Sequence, residues 1–118
     1  MKYSKSFTHD LELGEVAETC LNDIFKDHSK IEVKTDFIAH KTGNLFVEIY
    51  SRGKKSGLST TTANYWIFKI DALDISFIIS TEKLKQLIRH YYNLNGYKQG
   101  GDNNTSLGIL LPLKAFIQ

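Results

Sequence analysis

The residues best suited to chemistry in this sequence are two carboxylates and an amine, Asp36, Glu48 and Lys34, on two β-forming stretches, Ile31 to Ile38 and Leu45 to Ser51. Both stretches alternate in polarity and are separated by His40-Lys41-Thr42-Gly43-Asn44, a pattern that predicts a hairpin. Closure through a loop of Lys41-Thr42-Gly43, with Gly43 in the left-handed conformation such loops favour, sets Asp36 opposite Glu48 and Lys34 opposite Tyr50. The pleat then puts all four on one side of the sheet. Val33, Phe37, Val47 and Ile49 make the other side apolar, with Thr35 its one polar member.

Two carboxylates facing each other across a strand pair repel, so stability alone does not place them there. A divalent cation resolves the conflict. Mg²⁺, or Mn²⁺ in its stead, takes hard oxygen ligands, commonly one or two carboxylates with water and a substrate phosphate, and it both activates the water and neutralises charge on the phosphate. An adjacent lysine would assist by stabilising the developing negative charge. The competing reading is a solvated face on which Lys34 merely pairs with Glu48 or Asp36, and the hairpin alone does not choose between the two.

The elements that must position these groups follow from periodicity. Between Asp10 and Phe25, Leu13, Val16, Ala17, Cys20, Leu21 and Ile24 form one apolar stripe of a helix. A third strand is expected at Tyr65 to Ile70 and a fourth at Ile75 to Ile79. A second helix is capped by Ser80 or Thr81, carries Leu84, Leu87, Ile88 and Tyr91 inward, and stops at Asn93 to Gly96. Gly100-Gly101-Asp102-Asn103-Asn104 is turn chemistry, and Leu107 to Leu113 is a last strand. The order is α-β-β-β-β-α-β, an α/β fold with a central mixed sheet flanked by helices.

In this order, Ile31-Glu32-Val33-Lys34-Thr35-Asp36 and then Gly43-Asn44-Leu45-Phe46-Val47-Glu48-Ile49-Tyr50 resemble the core of the PD-(D/E)XK nucleases, with their restriction-endonuclease-like fold. Glu-Val-Lys-Thr-Asp, Thr-Gly-Asn-Leu-Phe-Val-Glu and Ser56-Gly57-Leu58-Ser59-Thr60-Thr61 look like small phage-encoded members. The resemblance runs from the first helix to Asn104. It implies a Mg²⁺-dependent DNA endonuclease in which Asp36 and Glu48 hold the metal, the carbonyl of Ile49 adds a ligand, and Glu18 orients a metal-bound water. Glu18 follows Gly14 at the family's spacing and sits at the edge of the helix stripe, at ~100° per residue.

One residue departs from the family pattern: the position of the motif lysine is Tyr50, which carries no positive charge. Lys34, opposite it in the expected register, is the proposed substitute, with Lys54 and Arg52 as rivals. If none serves, the chain is a catalytically inactive nuclease-fold module that binds DNA or assembles with partners. Structure-selective cutting, such as junction resolution by a homodimer, and nicking or end processing stay equally open.

The remaining composition bounds these readings. At 118 residues the chain has the size of one domain, 1–118, and its formal net charge of +2 leaves DNA attraction to local patches. The basic, glycine-rich loop holding Arg52, Lys54 and Lys55, followed by Ser59, Thr60 and Thr61, is the expected DNA-contacting segment. On the second helix Lys85, Arg89 and Tyr92 share a face suited to a DNA backbone. Tyr65, Trp66 and Phe68 alternate within an apolar strand and read as core rather than as base-stacking residues. A single cysteine excludes an internal disulfide or a cysteine zinc cluster, and the four histidines show no ligand spacing. With no apolar run long enough for a membrane span or a signal peptide, a cytoplasmic setting is expected, in the host cell if the chain is phage-encoded.

Overall fold

The computed structural model describes residues 30–117. The helix expected between Asp10 and Phe25, with Glu18, lies outside the described residues. From Ile31 onward the described residues form one compact α/β unit.

Among the described residues, seven strands arrange in two sheets. β1 (Ile31–Asp36), β4 (Tyr65–Ile70) and β5 (Ile75–Ser80) form a mixed sheet in the order β1-β4-β5. β2 (Asn44–Ser51), β3 (Lys54–Lys55), β6 (Lys98–Gly100) and β7 (Ser106–Pro112) form an antiparallel sheet in the order β3-β2-β7-β6. The single central sheet expected from the sequence is thus two smaller ones.

The hairpin between β1 and β2 is not formed. β1 runs parallel to β4, with Lys34 beside Phe68 and Asp36 beside Ile70, whereas Glu48 sits opposite Gly108 of β7. Asp36 therefore does not face Glu48, nor Lys34 Tyr50. The physical cause is local: Asp36 turns the chain into a one-turn helix, α1 (Ala39–Thr42), where the hairpin loop was expected. Gly43 is left-handed as anticipated, at φ 76°, but it ends that helix, its N–H donating to the Ala39 carbonyl.

The alternative pairing also regroups the apolar residues. On β1 the side bearing Glu32, Lys34 and Asp36 is the side that Trp66, Phe68 and Ile70 share on β4. Val33 and Phe37 are consequently 59% and 66% exposed, while Val47 is buried at 1%. These residues do not make the common apolar face expected of a hairpin.

The core joins both sheets to one helix. Trp66, Phe68 and Ile70 of β4, Leu45 and Val47 of β2, and Ile109 and Leu111 of β7 are buried in one cluster with Leu84, Ile88 and Tyr91 of α2 (Thr81–Asn95). Trp66 and Phe68 are core, as their alternation predicts. The helix begins where the sequence places it, the Ser80 hydroxyl accepting from Lys83 N at 3.2 Å, and ends at Gly96 with φ 69°. Among the described residues no helix is long and apolar enough to cross a membrane.

Candidate functional site

Although β1 and β2 do not pair, their chemistry converges. Lys34, Thr35 and Asp36 from β1 and Phe46 and Glu48 from β2 line one pocket of about 200 Å³, with Trp66 in its wall. The structure brings Lys34, Asp36 and Glu48 to the same pocket by packing one sheet near the other rather than by a ladder of hydrogen bonds.

Each carboxylate is held differently. Asp36 Oδ1 accepts from the backbone N–H groups of Ile38 at 2.9 Å and Ala39 at 2.6 Å, the local side-chain-to-backbone turn that aspartate favours before a helix. Its second oxygen makes no hydrogen bond among the described residues. Glu48 is clamped by two hydroxyls: Ser106 donates to Oε1 at 2.5 Å and Ser56 to Oε2 at 3.0 Å. Ser106 is buried and comes from β7, so the clamp depends on the sheet.

The turn that carries Ser56 is folded tightly against β2. Ser56 N and Ser59 Oγ both donate to the carbonyl of Ile49, at 2.9 and 2.6 Å. Ile49 sits at an irregularity in the pairing of β2 with β7, between Glu48 and Tyr50, which frees its carbonyl from the ladder. That carbonyl, expected as a metal ligand, is instead engaged by these two donors, and the Ile49 side chain lines a different groove. Gly57, at φ 54°, makes the close approach possible, since a Cβ there would lie 2.3 Å from the Glu48 carbonyl oxygen.

Lys34 reaches the pocket from β1, with its ammonium 3.1 Å from Glu32 Oε1 and 6.0 Å from the centre of the Trp66 ring. Trp66, 2% exposed, has an indole N–H with no hydrogen-bond partner among the described residues. Tyr50 is not part of this pocket. Its ring meets Tyr97 edge-on at 5.7 Å, and Tyr97 in turn packs on Tyr92 at 4.7 Å. Burial first, and then the hydrogen bond and charge of Tyr50, raise the Tyr97 phenol above its ordinary value.

The basic segment is a hairpin rather than a flexible loop. Arg52 and Gly53, at φ 52° and 78°, turn β2 tightly into β3, leaving Arg52, Lys54 and Lys55 exposed at the sheet edge. Ser59, Thr60 and Thr61 follow, but their polar groups are partly spent internally: Ser59 Oγ on Ile49, Thr60 N on the Gly57 carbonyl, and Thr61 Oγ1 as acceptor from Ala63 N.

Sequence reasoning missed Ser56, Ser106, Gly57 and Trp66. Ser56 and Gly57 stood in a motif already singled out, whereas nothing in the sequence around Ser106 marks it as a partner of Glu48.

Among the described residues no group of three or more His, Cys, Asp or Glu side chains gathers as a metal cluster. The pocket offers two carboxylates, which is within what Mg²⁺ accepts when water and phosphate complete its shell. Comparison with known proteins finds no matching family model, no matching curated protein and no matching solved structure.

Proposed function

We propose that this chain is a metal-dependent DNA endonuclease of the PD-(D/E)XK type with a restriction-endonuclease-like fold. The observation that carries the reading is the meeting of Lys34, Asp36 and Glu48 in one pocket despite their separate sheets. Hard oxygen donors beside a primary amine suit a phosphodiester better than a neutral substrate.

Asp36 and Glu48 are the residues that would hold Mg²⁺ or Mn²⁺, which supplies Lewis acidity toward water and phosphate. The Ser56 and Ser106 hydroxyls fix the Glu48 carboxylate, and the Ile38 and Ala39 amides fix Asp36, so neither carboxylate has to be ordered when substrate arrives. Lys34 stabilises the negative charge that grows on the phosphate oxygens, in exchange for its exposed pairing with Glu32.

The test is degradation of plasmid DNA with Mg²⁺ or Mn²⁺, compared with Asp36→Asn and Glu48→Gln. Asparagine keeps the acceptor that organises α1 while removing the charge, so loss of cleavage with an unchanged melting temperature separates chemistry from folding. A drop of at least about 100-fold is expected for each, and full activity in either variant refutes the assignment.

A second reading is favoured by one specific observation: Tyr50, at the motif lysine position, is packed against Tyr97 away from the pocket. On that reading the chain is a nuclease-fold module that holds DNA without cutting it, and Lys34→Ala changes nothing but affinity.

A further inference from the structure

A second concavity lies on the other side of the turn that clamps Glu48. It has a volume of about 190 Å³ and is lined by Ile49, Leu58, Ser59, Lys85, Ile88 and Arg89. Gly57 belongs to the wall of the acidic pocket, while the next two residues, Leu58 and Ser59, belong to this groove. The two sites are thus neighbours across one short turn.

The groove has an apolar floor and a cationic rim. Leu58 and Ile88 are buried, whereas Lys85 and Arg89 are exposed and stand one helical turn apart on the same face of α2. Neither cation makes an ion pair among the described residues; the ion pairs found there are those of Lys34 with Glu32 and Lys69 with Asp71. Two like charges so placed repel each other, a small cost to the helix that a bound anion would reverse. Arg89 offers a planar fork of donors that matches two phosphate oxygens, and Lys85 adds a mobile point charge. The Ser59 hydroxyl donates to Ile49, so the anion would be held by the two cations rather than by that side chain.

We propose that this groove is a phosphate-binding site for a nucleic-acid backbone, in which Lys85 and Arg89 hold a stretch of strand on the far side of the Gly57–Ser59 turn from the acidic pocket. It deepens the nuclease reading by assigning a second point of contact with the same strand. A backbone seated there and in the pocket would straddle the turn, fixing which phosphate comes to Asp36 and Glu48. The apolar floor suits the sugar between phosphates, which a free inorganic anion would leave uncovered.

The experiment is equilibrium binding of a short fluorescent DNA duplex in EDTA, across about 50 to 200 mM salt, for wild type, Lys85→Gln/Arg89→Gln and the control Lys41→Gln/Lys114→Gln. All four substituted positions are exposed, so the fold is retained. Loss of two phosphate contacts is expected to flatten the slope of log affinity against log salt by about 1.8, or ~0.9 per contact, and to weaken binding about tenfold at the lowest salt. The exchange variant Lys85→Arg/Arg89→Lys, which keeps both charges, should restore the slope. Equal slopes for wild type and the groove variant, the same loss in the control, or no salt-dependent binding by wild type would each overturn the proposal. Because the assay excludes divalent cations, it does not depend on cleavage. Groove-dependent binding without any cutting leaves this site standing and removes the hydrolase, whereas cutting that survives unchanged slopes does the reverse.

Discussion

Asp36 and Glu48 line the same pocket, yet one is held by its own neighbourhood and the other by the rest of the molecule. Asp36 takes both its hydrogen bonds from amides two and three residues on, at Ile38 and Ala39. Glu48 takes one from Ser56 and one from Ser106, which reaches it only because β7 pairs with β2. The difference teaches that half of this site is built as soon as a turn forms, while the other half exists only when the antiparallel sheet and the Ser56–Ser59 turn are both in place. A substitution that loosens the sheet should therefore disable Glu48 long before it disturbs Asp36.

The sharpest way to break the symmetry is Gly57→Ala. A methyl there would collide with the Glu48 carbonyl at 2.3 Å and would occupy a left-handed conformation, φ 54°. Stability is expected to fall by about 3 kcal/mol, the sum of overpacking and backbone strain. Thermal unfolding followed by circular dichroism measures this, and an unchanged midpoint would mean that the turn does not rest on β2.

Next comes the buried member of the clamp. Ser106→Ala removes the donor to Glu48 Oε1 from a position that is 4% exposed, so a loss of about 2 kcal/mol is expected, as for a hydrogen bond to a charged group. Ser56→Ala, at a more open position, should cost less than half of that. Reversal of this order in urea unfolding would show that the local donor, not the sheet, holds Glu48.

The smallest effect belongs to the other carboxylate. Asp36→Ala deletes the acceptor for two amides in an open turn and should cost about 1 kcal/mol, and Asp36→Asn should recover most of it. Urea midpoints of the two variants measure the difference. If alanine and asparagine behave alike, the turn into α1 does not depend on that oxygen.

Several elements were legible before any coordinates. Tyr65 to Ile70 alternates cleanly and is β4, the serine before Thr81 caps α2, and Gly96 ends it. These are signals spanning only a few residues, and the local backbone obeys them. What misled was the segment from Phe37 to Gly43. Its length and its left-handed glycine fit a hairpin, but Asp36 bonds its own downstream amides and winds the segment into α1 instead. The expected pairing of Asp36 with Glu48 failed with that hairpin, while both residues still line one pocket, because the two sheets that carry them pack into one core.

The amino-acid order by itself therefore determined the local pieces: which stretches extend and where α2 starts and stops, with Lys34, Asp36 and Glu48 as candidates for chemistry. Only the tertiary structure decided which strands pair, that Ser106 meets Glu48, that Tyr50 turns to Tyr97, and that Lys85 and Arg89 border a groove beside the site. The reason is physical. Capping and alternation act over a few residues, whereas partner choice between strands is settled by burying Trp66, Val47 and Ile109 in one core, an energy that no short stretch of sequence contains.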